Sequence, residues 1–314
     1  MESTRSDEAD LSCPLMDRLV SSYLHNPKAR EDIILPQFTH RLALARAWQI
    51  PPDSRVLDIG CGQGESSLVL AEVVGPDGHV TGIDSAPHDY GSPFTIGEAQ
   101  RYIKKSIYGQ RIEFLHTDAA RLLSSGGQGA GQPIPGPTSD RAVLSHSLWY
   151  FEDCESISSL FHVLSNAGIR RVHVADYSYE ASLPEQVPHA IASRAQALVH
   201  ASRPPHPMGK DKQNIRAAPH PAKVIEMALA EGYRLLREDG ITPGPGLRDG
   251  QWESEYVQTA VFRDSVARKG LDAESTAEVL ALVKQVEQAC GQMQAQGCDL
   301  VRTMDVWCAT FELK

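Results

Sequence analysis

The sequence is short of positive charge: 30 lysines and arginines stand against 40 aspartates and glutamates, a formal charge of −10 over 314 residues with a pI near 5.6. Such a chain lacks the electrostatic footprint a polyanion requires, so DNA, RNA and acidic membrane surfaces are not expected partners, and a small molecule is. Long apolar runs are also missing, and none approaches the roughly 18 residues of a membrane span. The six cysteines, at positions 13, 61, 154, 290, 298 and 308, form no C-x-x-C pair and have no matching histidine spacing. That pattern argues against zinc, any other bound metal and a disulfide framework, and suits reduced, mostly buried thiols in a cytoplasmic protein. Met1 to Asp10 carries charges of both signs and no apolar segment, so no secretory signal is expected there. The length suffices for a full hydrophobic core, as one enlarged domain or a domain with a cap. Oligomeric state is not legible.

What is present centres on Arg55 to Ser67. Val56 to Ile59 reads as a short buried strand that breaks into Gly60-Cys61-Gly62-Gln63-Gly64 and then into a helix carrying Leu68, Val69, Leu70, Val73 and Val74. Alternating glycines between strand and helix allow positive φ and let a ligand approach the main chain, and the helix turns its N-terminal N–H groups to the same place. The dinucleotide fingerprint G-x-G-x-x-G is not met, because Glu65 stands three residues after Gly62. Asp58 and Glu65 would both face a pyrophosphate there, so the loop suits a cationic or hydroxyl-rich ligand instead. A nucleophilic Cys61 has no histidine or acid partner beside it in sequence, and a small side chain is what the turn tolerates.

Asp58-Ile59-Gly60-Cys61-Gly62-Gln63-Gly64 resembles motif I of the class I, Rossmann-like S-adenosylmethionine-dependent methyltransferases. The resemblance implies a seven-stranded α/β sheet with helices on both faces and S-adenosyl-L-methionine as cofactor. Asp58 would handle the amino-acid end of that cofactor, with the glycines passing under its ribose and methionine. Strand two, His79 to Ile83, closes on Asp84, about 25 residues after Asp58, where Rossmann-like folds grip ribose hydroxyls. An aspartate capping the next loop is the alternative. Strand three, Ile112 to His116, leads to Asp118, which in the family accepts from the adenine amine. The cofactor set implied is Asp58, Gly60, Cys61, Gly62, Gly64, Asp84, Ser85, Asp118, Ala119 and Ser145. Three acids at three successive strand ends is a stronger signal than any one of them.

Around this core the chain divides into an N-terminal helical cap (1–50), the cofactor-binding core (51–245), a helical insertion (246–300) and a last core strand (301–314). The cap reads as two helical pieces between Cys13 and Gln49, punctuated by Pro27 and Pro36, from which Tyr23, Gln37, His40 and Arg41 could reach inward. A helix starts near Thr95, with Glu98 completing a capping box, and runs to about Tyr108. Ser124 to Ser139 is a loop rich in glycine and proline, and Arg203 to Arg216 is a basic, proline-rich lid or connector. Strand six, Tyr233 to Glu238, is followed in the family by a hairpin partner at once; here that partner, Thr303 to Phe311, is delayed by about 60 residues. Helices from about Trp252 to Ala267 and Ala273 to Gln296 fill the gap.

Strand four, Arg141 to Leu144, opens into Ser145-His146-Ser147-Leu148-Trp149-Tyr150, where the resemblance places the transferred methyl group and the substrate. His146 is the best-placed general base, since imidazole titrates near working pH. A histidine stacked on adenine or bonded to backbone is the other reading. Trp149, Tyr150, His88 and Trp252 are candidate walls of the substrate pocket, against ordinary packing roles. No Asn/Asp-Pro-Pro-Tyr/Phe tetrapeptide follows strand four, which argues against amino-methyltransferases of nucleic acids or protein glutamine. The expected activity is methyl transfer to an oxygen or nitrogen of a small organic molecule, such as a specialised metabolite. A non-methylating step on the same cofactor, such as a cyclisation, and a cofactor-free binding module are the alternatives.

Overall fold

A computed structural model describes residues 13–124, 128, 129, 132, 133, 139–202 and 215–314. Most of the two loop stretches singled out above, at 124–139 and 203–216, lies outside them. The chain divides into two compact units, Met1–Val143 and Leu144–Lys314.

The first unit opens with α1 (Cys13–Ser21) and α2 (Leu35–Trp48). Pro36 does not separate helices but sits in the first turn of α2, where its missing N–H costs nothing. Then follow β1 (Arg55–Ile59), α3 (Glu65–Val74), β2 (His79–Asp84), α4 (Ile96–Lys104), β3 (Ile112–His116), α5 (Ala119–Ser124) and the start of β4 (Arg141–Ser145). β1 lies parallel between β2 and β4, pairing Val56 with Val80 on one side and with Arg141 on the other. Its Val56, Leu57 and Ile59 are buried, as the continuous apolar run of a parallel strand requires. Thr95 caps α4 as its spacing predicts, accepting from the Glu98 N–H while Glu98 accepts from the Thr95 N–H. α4 ends at Lys104 rather than Tyr108, with turns through to Gly109; there the Lys104 ammonium donates to the Gly109 and Ile112 carbonyls.

The second unit continues with α6 (Cys154–Asn166), β5 (Arg171–Tyr177), α7 (Val187–Ser202), α8 (Pro221–Ala230), β6 (Tyr233–Ile241), α9 (Asp249–Gln258), α10 (Ala260–Arg268), α11 (Ala273–Ala295) and β7 (Val306–Leu313). β7 runs antiparallel to both β5 and β6, so the delayed strand does complete the sheet. The seven strands are ordered β3-β2-β1-β4-β5-β7-β6.

Two boundaries differ from the sequence pattern, each for a local reason. The helix expected from Trp252 to Ala267 is broken at Thr259, whose hydroxyl accepts from the Phe262 N–H and caps a new helix, α10. β7 begins at Val306 rather than Thr303 because residues 301–305 spend their hydrogen bonds elsewhere. The Val301 N–H goes to Gln251, Arg302 N–H to the Glu185 carbonyl, Met304 N–H to His189, and the Thr303 hydroxyl joins the Gly250 N–H to the Leu247 carbonyl. This buried crossing ties the insertion to the segment before α7. α7 and the insertion helices then share an apolar core that includes Val199, Val257, Phe262, Val283 and Val286.

Candidate active site

In the first unit the chain leaves β1 over Gly60, Gly62 and Gly64, all with positive φ. A Cβ at Gly62 would meet no atom within 4 Å, so the loop is open on that side. At Gly64, with φ +98°, a Cβ would fall 2.6 Å from Ile103 Cδ1 and 3.0 Å from Phe114 Cζ, so a larger residue would be strained and would have to displace the buried Ile103 side chain. The Asp84 carboxylate accepts from the Gly62 N–H and the Ala86 N–H, each at 2.8 Å, and so fixes the loop to the end of β2. Gln100 supports the other side by donating to the Gly62 carbonyl at 2.9 Å.

Asp58 lies beneath this loop and is 1% exposed. Its carboxylate accepts the Ser67 hydroxyl at 2.6 Å. Burial raises its pKa from 3.8 to about 6; the Ser67 bond and the Arg41 charge act against that rise, and Asp84 and Glu65 add to it. Tyr23, between α1 and α2, places its hydroxyl 2.8 Å from both Gln63 Oε1 and Glu65 Oε1. A phenol has one proton for these two acceptors, so the corner holds more acceptors than donors. Cys61 is buried against β2, and burial raises its thiol pKa well above the ordinary value, which removes the nucleophile reading.

Asp118 caps α5 by accepting from the Arg121 N–H at 2.8 Å and pairs with its guanidinium at 3.4 Å; Ala119 is buried beside it. Ser85 is exposed, and its carbonyl lies 3.3 Å from His116 Nε2. The exposed His88 ring stands 4.9 Å from that of His116 and lines a groove of about 750 Å³ beside α4, to which Asp58, Asp84 and Asp118 do not contribute.

In the second unit Ser145 is buried at the end of β4, and His146 follows with φ +52°, a left-handed conformation rare outside glycine. Its N–H donates to the Ala175 carbonyl at 2.8 Å, and its ring lies 4.7 Å from Tyr177. Asp176 braces the chain after His146, taking the Leu148 N–H on one oxygen and the Tyr177 N–H on the other. The Trp149 ring lies 4.3 Å from that of Tyr177, tilted by 36°, and its indole N–H donates to the Tyr179 hydroxyl at 2.6 Å. Tyr179 too has a left-handed backbone, φ +60°. Strain of this kind, on the order of 1 to 3 kcal/mol per residue, collects at functional sites. Tyr150 is 49% exposed and Trp252, on α9, is 45% exposed.

Sequence reading missed His189 and Tyr179. His189 is fully buried at the edge of the Trp149 and Tyr177 rings, with centroids 5.9 and 5.2 Å away. Its Nδ1 accepts from the Met304 N–H at 3.0 Å, which leaves the proton on Nε2, and Nε2 has no hydrogen-bond partner among the described residues. Burial lowers its pKa to about 3, so it stays a neutral donor. The available signal was the spacing His189, Ser193, Gln196, His200: a polar stripe at helical intervals on the buried face of α7. Gln196 in turn holds the Glu253 carboxyl, whose pKa burial raises.

A parallel β-α-β core whose glycine turn is pinned to the second strand-end acid, extended by an antiparallel last strand, defines a Rossmann-like methyltransferase fold. A family profile described as a methyltransferase domain matches residues 50–127. Methyltransferase phomM of Diaporthe leptostromiformis is 33% identical over 349 aligned positions, covering 95% of this chain and 89% of that protein, and methyltransferase phomM' of the same organism matches equally. Among solved structures, a cyclopropane-fatty-acyl-phospholipid synthase-like protein from Lactobacillus casei superposes with a TM-score of 0.76 at 28% identity, covering 96% of this chain and 99% of that one. The chain belongs to the class I S-adenosylmethionine-dependent methyltransferases.

Proposed function

We propose that this enzyme transfers the methyl group of S-adenosyl-L-methionine to an oxygen or nitrogen of a small organic molecule. The observation that carries the reading is the Asp84 carboxylate bound to the Gly62 and Ala86 N–H groups at the foot of a loop left open at Gly62. A carboxylate acceptor held there fits a cationic, hydroxyl-bearing nucleoside. Asp84 would accept from ribose hydroxyls, Gly60, Cys61, Gly62 and Gly64 would lie under ribose and methionine, and Ser85, Asp118, Ala119 and Ser145 would border the adenosine. Asp58, Glu65 and the Tyr23 hydroxyl supply acceptors for an ammonium group, so the amino-acid end belongs at that corner.

The cofactor supplies an electrophilic methyl group on a sulfonium. The protein's part is to hold the acceptor in line, exclude water and take a proton. His146 is the candidate base, and its strained backbone, held by the Ala175 carbonyl, supports an assigned position for that imidazole. Trp149, set against Tyr177 and fixed by Tyr179, offers the flat wall of an acceptor site, with Tyr150, His88 and Trp252 as further candidates. The 33% identity to methyltransferase phomM supports methyl transfer as the reaction. The test is product mass after incubation with S-adenosylmethionine and candidate acceptors. A gain of one methyl supports the proposal, and a product isomeric with its substrate overturns it in favour of a non-methylating step.

A further inference from the structure

Gln63, between Gly62 and Gly64, has no part in the chemistry described so far, yet its side chain is held at both ends. Its Nε2 donates to the Phe94 carbonyl at 2.6 Å, and its Oε1 faces the Tyr23 hydroxyl at 2.8 Å. A carbonyl can only accept, so Phe94 takes the NH2 end of the amide and turns the oxygen toward Tyr23. Gly91 makes room for that contact: its φ is +111°, and a Cβ there would fall 2.9 Å from the Phe94 carbonyl oxygen and 3.1 Å from Gln63 Nε2. Phe94 ends the stretch 85–94, which carries Ser85 and His88 and is exposed over most of its length. The near end of that stretch is fixed by Asp84 through the Ala86 N–H, and its far end meets the glycine turn through Gln63.

Tyr23 supplies the proton at the other end of this chain of bonds. It is buried, and burial, with the Glu65 charge, raises its pKa, so it stays a phenol. Its hydroxyl lies 2.8 Å from Glu65 Oε1 as well as from Gln63 Oε1, and one proton serves both. Without another donor the carboxylate holds that proton, because a bond to a charged acceptor is the stronger of the two. An ammonium on Glu65 brings donors of its own, and the phenol proton then goes to Gln63. The amide is polarised by that bond, and Nε2 donates more strongly to Phe94, since linked hydrogen bonds reinforce one another.

We propose that Gln63 is a positioning residue, passing occupation of the amino-acid corner to the loop that carries Ser85 and His88. The inference rests on the placement of the cofactor's amino-acid end proposed above. Two ligands separate that end from the nucleoside: S-adenosylhomocysteine has it, and 5′-methylthioadenosine does not. The readout is amide hydrogen exchange of the full chain, by mass spectrometry, in peptides spanning 87–97 at saturating ligand. There the Tyr90, Ile96 and Gly97 N–H groups bond to the Pro87, Tyr90 and His88 carbonyls. S-adenosylhomocysteine should slow this exchange about tenfold more than 5′-methylthioadenosine does, the effect of about one hydrogen bond. In Gln63→Met, which has neither the donor nor the acceptor, the two ligands should slow it equally. Tyr23→Phe, which leaves Gln63 and Phe94 in place, should abolish the difference as well, whereas a merely structural role for Gln63 would shift exchange alike with either ligand. The proposal is overturned if wild type binds both ligands and shows no difference between them, or if either variant retains the difference. Failure of wild type to bind S-adenosylhomocysteine at all would overturn the cofactor reading itself, and this inference with it.

Discussion

Asp58→Asn should stabilise the free protein, and by an amount that grows with pH. Asp58 is buried under the glycine loop with a pKa of about 6, against 3.8 for the ordinary side chain. Between those two values the folded chain holds a proton that the unfolded chain has lost, so rising pH works against the fold. The cost of the buried charge is about 1.5 kcal/mol at pH 5 and levels at about 3 kcal/mol by pH 8. Asparagine keeps an acceptor for the Ser67 hydroxyl, now 2.6 Å from the carboxylate, and carries no charge. Urea unfolding of both proteins from pH 5 to pH 8 should therefore show the stability difference moving in favour of the asparagine variant by about 1.5 kcal/mol across that range. Titrations elsewhere in the chain are common to both proteins and cancel. A difference that is constant with pH, or that moves in favour of aspartate, would refute the argument.

Other consequences are open to measurement. Tyr23→Phe removes the one proton shared by Gln63 and Glu65, and should weaken S-adenosylhomocysteine about tenfold while leaving 5′-methylthioadenosine, which lacks the amino-acid end, nearly unchanged; equal losses for both would place Tyr23 elsewhere. Gly250→Ala forces a Cβ to within 2.3 Å of the Arg302 carbonyl in the buried crossing, and should cost on the order of 2 to 4 kcal/mol by chemical denaturation. His40 and His189, both buried with pKa values lowered to about 3, favour the fold above pH 6.5 and withdraw that support as pH falls through the window down to 3; His40→Gln should lower the pH at which acid unfolding begins, followed by circular dichroism.

The parts that proved legible were those encoded over short distances. Val56 to Gly64 announces its strand and turn because a parallel strand must be apolar throughout and its exit needs positive φ at the glycines. Thr95 and Glu98 announce a helix start through one turn of backbone. The late final strand was legible too, because its β-branched and aromatic residues stand out after two amphipathic helices.

What escaped depends on partners far along the chain. Thr259 breaks a helix whose apolar pattern continues across it, since the hydroxyl competes for a single N–H without disturbing the face. Thr303 to Asp305 look like strand residues, but their polar groups are claimed by Leu247, His189 and Gln186. His189 itself carries no local signature: its role as a neutral donor comes from the Met304 N–H, 115 residues away.

The central claim is that the loop at Gly62, fixed by Asp84, holds the cofactor. Calorimetric titration of S-adenosylhomocysteine into wild type and Asp84→Ala tests it most directly. Wild type should bind at a 1:1 ratio and gain on the order of 2 to 4 kcal/mol of stability in excess ligand. Asp84→Ala should bind at least about tenfold more weakly, having lost both the carboxylate and the Gly62 anchor. Absence of binding by wild type, or equal affinity in the two proteins, would contradict the account.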